Sequence, residues 1–365
     1  MRICVVTPLF AIAGVPLAQM RFARALASRD HEVDMIIGQI LPGCKVESPE
    51  DVNITVLNCP NVRSMLWPLV RYLRATGIEV IFSAEDHLTA IVLMACILSG
   101  SKAKVSGSSR VLPTDRQAYS HRLFTKGWWL KSFMNLVMWR ASALTCVSKD
   151  MVGLYREVFS NAPHVCVYNI IKDHNSALRA NENVDHPWLI DNELPVIISA
   201  GTMTKRKGFS DLIDAFSIIN ETHPCRLIIL GDGYLRDKLV SQVVKKGLSD
   251  SVDMPGNVEN PLKYFSKANV FVLSSYAEGM PNVLVEAMMC GCTPVSTDCP
   301  TGPRELLKEG KYGYLVPLRD PAAMAAAIGQ ALEAPISKTL LDEAVAPFEE
   351  NAVIERHFEV LGLRG

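Results

Sequence analysis

Val270-Phe271-Val272-Leu273, followed a few residues on by Glu278-Gly279-Met280-Pro281-Asn282-Val283-Leu284-Val285-Glu286, decides how this chain is read. The first run is short, apolar and rich in β-branched and aromatic residues, as in a strand buried on both faces of a parallel sheet. Pro281 is tolerated as a first helical residue, because the N–H it lacks has no partner there anyway. Val283, Ala287 and Cys290 then recur at helical spacing, and Gly291 stands where a left-handed C-cap is wanted. The stretch predicts strand, tight loop and short helix, with one carboxylate in the loop and the other inside the helix. Measured along a continuous helix, eight residues at about 1.5 Å each put the two carboxylates roughly 12 Å apart. Free N–H groups and the positive end of the helix dipole lie between them, an arrangement that suits a diphosphate.

A buried parallel strand needs neighbours, and the chain supplies them on both sides. Val196–Ser199, Arg226–Leu230 and Pro294–Ser296 share its character, with helical stretches between. Upstream, Arg2–Thr7, a helix opening at Pro16 and Glu32–Ile37 form a βαβ unit. Ile54–Leu57, Val80–Ser83, Lys104–Ser106, Leu144–Val147 and Cys166–Tyr168 extend that sheet. Two doubly wound α/β domains result, one over 1–172 and one over 195–340. The polar, non-periodic stretch 173–194 reads as the linker between them, and 341–365 as a terminal helical segment. A chain of 365 residues is the right length for two such cores.

Composition narrows the class. The chain is 49% hydrophobic and 21% charged, the composition expected of a soluble globular protein. Its longest apolar run, Leu88–Leu98, is too short to span a bilayer, and Met1-Arg2 leads directly into a strand rather than a signal peptide. The ten cysteines lie inside apolar strands and helices, which predicts a reducing, cytoplasmic setting. Cys290-x-Cys292 lacks the His or Cys partners of a metal site and reads as buried small hydrophobes. No Asp-x-Asp occurs, so no metal-held diphosphate and no other cofactor is expected. Gly231-x-Gly233 lacks the third glycine of a dinucleotide fingerprint, which argues against NAD.

Charge is unevenly spread. Residues 1–172 hold 19 Lys and Arg against 12 Asp and Glu, and residues 173–365 hold 18 against 26. The excess in the first half concentrates in 102–140, where eight cations face the single acid Asp115. Tyr119, Phe124, Trp128, Trp129, Phe133 and Trp139 are interleaved with them. Basic and aromatic residues together suit an anionic membrane surface or a lipid diphosphate. A solvated basic loop with inward-packed rings is the plain alternative. Nucleic acid is not expected, since no binding motif for it accompanies the charge.

Five ordered signatures give the chain a family resemblance. Glu278 to Glu286 resembles the E-x7-E signature of the retaining glycosyltransferases of family four, which have the GT-B fold. Gly201-Thr202-Met203-Thr204-Lys205-Arg206-Lys207-Gly208-Phe209 resembles that family's G-R-L-x-x-x-K-G-F. Gly231-Asp232-Gly233, Pro255-Gly256-Asn257-Val258 and Cys299-Pro300-Thr301-Gly302-Pro303-Arg304-Glu305 follow in the family's order, the last most like bacterial builders of polysaccharides and lipid-linked glycans. The resemblance is stronger in the second half of the chain than in the first. It implies α/β architecture, with two Rossmann-like domains facing across a cleft and the last helix crossing back onto the first domain. It also implies transfer of a sugar, UDP-linked, with retention of anomeric configuration, to a glycan or lipid-linked acceptor at the inner membrane face.

The resemblance assigns roles residue by residue. Glu286 would bind the ribose hydroxyls and Glu278 would face the transferred sugar. Lys207 would point at the diphosphate with backbone N–H groups near Asn282 and Val283, stabilising charge on the leaving group. Gly256, Val258, Gly279 and Met280 complete the donor site. The family's Arg is missing at Thr202, so Arg206 or Lys205 would have to supply that charge. Gly14 follows the first strand, where the family often has Gly-Gly to let backbone approach phosphate. His87, in Glu85-Asp86-His87 after the strand Val80–Ser83, matches a family His that contacts the sugar. An inverting enzyme would instead use Asp86 or His87 as general base, and the plain alternative is a helix N-cap made by Asp86. Two rival functions share this architecture, a nucleotide-sugar epimerase or hydrolase and a non-catalytic nucleotide-sugar-binding protein.

Overall fold

The computed structural model describes residues 1–10, 14–42, 44, 46, 51–110, 124–159, 164–191 and 193–363. It divides the chain into two compact units, Met1–Ile170 with Glu350–Gly365, and Ile171–Glu349.

Unit 1 runs β1 (Arg2–Phe10), α1 (Gly14–Ala27), β2 (Glu32–Ile40), β3 (Val52–Val56), α2 (Leu66–Ala75), β4 (Val80–Ala84) and α3 (Asp86–Ser99). It continues through β5 (Lys104–Ser109), α4 (Lys126–Val137), β6 (Ala143–Cys146), α5 (Lys149–Val158) and β7 (His164–Cys166). The strands form one sheet in the order β3-β2-β1-β4-β5-β6-β7. Side chains alternate between its faces, as strand geometry requires. Ile3, Val5 and Phe82 pack in one core with Phe22, Ala23 and Leu26 of α1. Cys4, Val6 and Ile81 point the other way, toward Leu69 and Leu73 of α2 and Val92 and Ala95 of α3.

Unit 2 runs α6 (Ser176–Ala180), α7 (Pro187–Ile190), β8 (Val196–Ala200), α8 (Phe209–Thr222), β9 (Arg226–Leu230), α9 (Arg236–Lys245), β10 (Val252–Gly256) and α10 (Leu262–Phe265). Then come β11 (Val270–Leu273), α11 (Asn282–Met289), β12 (Thr293–Thr297), α12 (Pro303–Leu306), β13 (Tyr314–Val316), α13 (Pro321–Glu333) and α14 (Lys338–Val345). The sheet order is β10-β9-β8-β11-β12-β13, all parallel. Val270, Phe271 and Val272 are fully buried in it, as a central strand between β8 and β12 must be. The chain returns to unit 1 as α15 (Glu350–Val360), whose Val353, Ile354 and Phe358 join the core beside α1. Lys104 Nζ caps this helix, donating to Leu361 O at 2.6 Å.

Local structure departs from the sequence reading in several places. Residues 173–194, expected as a linker, lie inside unit 2 and carry α6 and α7. Arg179 there pairs with Asp173 at 3.0 Å, so local polar contacts organise a stretch with no apolar period. Within 341–365, the return to unit 1 falls at Glu350, while α14 stays with unit 2. The strands β10 and β13 were not foreseen, because Asp253 and Pro255 interrupt one and the other is three residues long. Helix α1 opens at Gly14, ahead of Pro16.

Candidate active site

Both sheets reverse their winding at one place, and ligands of open α/β sheets sit at the carboxyl ends of strands there. In unit 2 the reversal lies between the paired strands β8 and β11. The loop after β8 carries Lys205-Arg206-Lys207 in a 3-10 turn, and the loop after β11 carries Glu278. Lys207 Nζ and Glu278 Oε1 are 2.6 Å apart, their side chains 14% and 9% exposed. Ser275 Oγ donates to the same carboxylate oxygen at 2.7 Å. Arg206 approaches the other oxygen to 3.8 Å and donates to Ala277 O at 3.3 Å. Lys205 forms no ion pair among the described residues. Of the two candidates to replace the cation absent at Thr202, the geometry therefore favours Arg206.

Two glycines make this convergence possible. Gly208 adopts φ +63°, and a Cβ there would lie 2.0 Å from Ser274 O, so the Lys207 turn closes onto the β11 loop only without a side chain. Ser274 Oγ also donates to Lys207 O at 2.7 Å. Gly302 adopts φ +87°, and its Cβ would meet Pro281 Cδ at 2.7 Å. Thr301 Oγ1, beside it, donates to the Glu278 backbone carbonyl. The loop after β12 thus braces the Glu278 loop from behind. Neither Ser275 nor Thr301 was singled out from sequence; Ser275 reaches Glu278 three residues on in the same loop, and Thr301 reaches it from the loop after β12. Cys299 in the same brace is buried, which pushes its thiol up to about 12, Glu278 adding to the effect and Lys207 opposing it.

The remaining candidates of unit 2 fall in a row. Gly279 and Met280 follow Glu278 in the loop, and Asn282 and Val283 form the first turn of α11. Pro281 is the N-cap rather than the first helical residue. Glu278 therefore lies outside the helix, and the 12 Å separation drawn from continuous helical rise does not apply. Glu286 sits mid-helix, and the chain turns out at Gly291 with φ +98°. Gly256 ends β10 and accepts a hydrogen bond from Gly231 N at 2.7 Å, with Val258 in the loop that follows. The carboxyl ends of β10, β9, β8 and β11 thus line one edge. At the usual strand spacing that edge is about 14 Å long.

In unit 1 the reversal lies between β1 and β4, and Gly14 and His87 follow those strands. Glu85 holds φ +76° and ψ 136°, a costly conformation for a residue with a side chain, on the order of 1–3 kcal/mol. His87 Nε2 lies 3.1 Å from the Glu85 carboxylate. Asp86 is not an N-cap. It is the first residue of α3, and its carboxylate accepts from Tyr155 OH at 2.7 Å and from Ser109 Oγ. Near this edge Arg110 is lowered to about 10 by burial, partly offset by Glu85. His357 of α15 is lowered to about 3, by burial first and then by Arg110.

The basic segment is only partly what its sequence suggested. Arg116, Tyr119 and Arg122 lie outside the described residues. Lys104 caps α15, and Arg140 donates to Ser101 O at 2.7 Å and Ala103 O at 2.8 Å. Trp129 and Trp139 are exposed, whereas Trp128 and Phe133 are half-buried. No helix among the described residues is long and apolar enough to cross a membrane.

Two family models tile the chain. Residues 13–169 match a glycosyl transferase 4-like domain, and residues 181–348 match glycosyl transferases group 1. The chain belongs to the group 1 glycosyltransferases. The N-acetylgalactosamine-N,N'-diacetylbacillosaminyl-diphospho-undecaprenol 4-alpha-N-acetylgalactosaminyltransferase of Campylobacter jejuni is 31% identical over 205 residues, 56% of this chain and 54% of that one. The chain spans between 33% and 54% of the length of the curated relatives it matches first. Among solved structures, sucrose-phosphate synthase from Thermosynechococcus elongatus superposes with a TM-score of 0.77 at 19% identity, covering 98% of both chains. HepE of Anabaena, solved with UDP and glucose, superposes with a TM-score of 0.75 at 17% identity over 99% of each chain. These likenesses define the fold, GT-B.

Proposed function

We propose that this protein transfers a sugar from a UDP-linked donor to a glycan on a lipid diphosphate carrier, with retention of anomeric configuration and without a metal. The observation that carries the reading is the meeting of Lys207 and Glu278 at the β8/β11 reversal, beside the N-terminus of α11. A diphosphate placed there meets a cation already held in position and the positive end of the α11 dipole at its first turn, where the Asn282 N–H donates to Met280 O at 3.0 Å. Both stabilise negative charge that grows as the sugar departs, so they act most strongly in the transition state. Without donor, Glu278 neutralises Lys207. A diphosphate would take over that cation and release the carboxylate toward the sugar, with Ser275 keeping it in place.

The row of loops from β10 to β11 fits an extended ligand, with Gly256 and Val258 at the base end and Glu286 at the ribose. Unit 1 has its own strand reversal, and Gly14 and His87 lie in the segments that follow its strands β1 and β4. HepE was solved with UDP, and the Campylobacter jejuni relative is named for a diphospho-undecaprenol acceptor. Both support the choice of donor and acceptor class, and the acceptor would be met at the cytoplasmic face of an anionic membrane. The test is to incubate the purified protein with UDP-sugars and undecaprenyl-diphosphate glycans and to identify the products. A new α-linked glycoside from an α-linked donor supports the reading. An epimerised donor, free sugar alone, or binding without turnover overturns it.

A further inference from the structure

We propose that α2, α3 and α4 of unit 1 form a single docking face for an anionic lipid surface, with α2 contributing as much as the aromatic segment. The inference rests on the reading of a lipid-carried acceptor and names the surface that would meet the carrier's membrane.

Helix α3 packs between α2 and α4 on one side of the sheet. The inward side of α4 is accounted for by Met134 and Val137, both buried. A surface helix ordinarily has one apolar stripe, but α4 has a second facing outward. Trp129 is 59% exposed and Leu136 66% exposed, with half-buried Phe133 between them at helical spacing. Trp139, 74% exposed, stands just beyond the end of α4. On α2, Trp67 is 62% exposed. Large rings in water on the two helices that flank α3 mark a surface that meets something.

Charge selects what that is. From Asn61 to Ala75, and from Phe124 to Arg140, there is no Asp or Glu. The acid of α3, Asp86, is engaged by Tyr155 and Ser109. Arg71 and Lys102 are exposed and Lys131 half-exposed, and none of these pairs with an acid among the described residues. Arg74 donates to Leu98 O at 3.0 Å, which ties the end of α2 to the end of α3 and keeps a further cation on the same layer. A protein partner would tolerate a mixed rim. A rim of cations without acids, around rings that can sit at headgroup depth, matches anionic lipid.

The experiment is co-sedimentation of the full chain with phosphatidylcholine vesicles, with and without phosphatidylglycerol, at low and high salt. Binding should require phosphatidylglycerol and fall as salt rises. Arg71→Glu should weaken it about fivefold or more, the effect of one cation near an anionic surface. Trp67→Ser and Trp129→Ser/Leu136→Ser should weaken it at both salt concentrations. If Arg71→Glu and Trp67→Ser bind like the parent while the α4 variants fail, the three-helix face is wrong. Equal binding to both kinds of vesicle overturns it too, as does a dimer that the α4 variants convert to monomer without changing vesicle binding. Thermal melting and UDP calorimetry on each variant separate loss of docking from loss of fold. A protein that docks as expected yet turns over no UDP-sugar would overturn the transfer reading and leave the face standing.

Discussion

Lys207→Met isolates the central contact of the candidate site. The ammonium lies 2.6 Å from Glu278 Oε1, and both side chains are largely buried. Removing one partner of a buried pair costs about 3–5 kcal/mol, because the remaining charge keeps its desolvation penalty without compensation. Here Ser275 still donates at 2.7 Å and half-exposed Arg206 stands at 3.8 Å, so a loss of about 2–3 kcal/mol is expected. Adding Glu278→Gln removes the stranded charge, and the double variant should return to within about 1 kcal/mol of the parent. Urea unfolding at pH 7, with hydrogen exchange reporting on unit 2, measures each quantity. A single variant as stable as the parent would refute the buried-pair reasoning. So would a double variant that loses the sum of the two single losses.

Glu286→Ala should weaken UDP binding by about 1.5–3 kcal/mol in calorimetry, the usual worth of a hydrogen bond to a charged group, whereas Glu278→Ala should bind UDP nearly like the parent and lose turnover. Lys207→Ala should lower turnover roughly a hundredfold, as loss of a transition-state donor does; near-normal turnover would move the role to Arg206. Gly208→Ala should cost at least about 2 kcal/mol, since its Cβ would be driven to 2.0 Å from Ser274 O at a positive φ, and denaturant unfolding checks this. His357 is held neutral by burial down to about pH 3, so unfolding binds a proton and stability drains as pH falls from 6.5 toward 3; His357→Phe, set among Phe22 and Phe82, should flatten that acid slope relative to the parent.

The pattern of short β-branched runs between helical stretches was enough to predict two doubly wound sheets, because that period depends only on neighbouring residues. The same local chemistry placed Lys207 and Glu278 in loops at strand ends. It could not show that Lys207 and Glu278 touch. That depends on β8 pairing with β11 across some seventy residues of chain, a register set by the buried sheet as a whole. Thr301 was hidden for the same reason, since it acts on Glu278 from a loop that only the packed core brings near. The basic segment shows the opposite case. Its charge was plain in sequence, yet the fold assigned Lys104 and Arg140 to backbone carbonyls and left Arg71, outside the segment, exposed on α2, which packs on α3 as α4 does. Composition determines how much charge a chain carries. Helix packing decides which of those charges share a face.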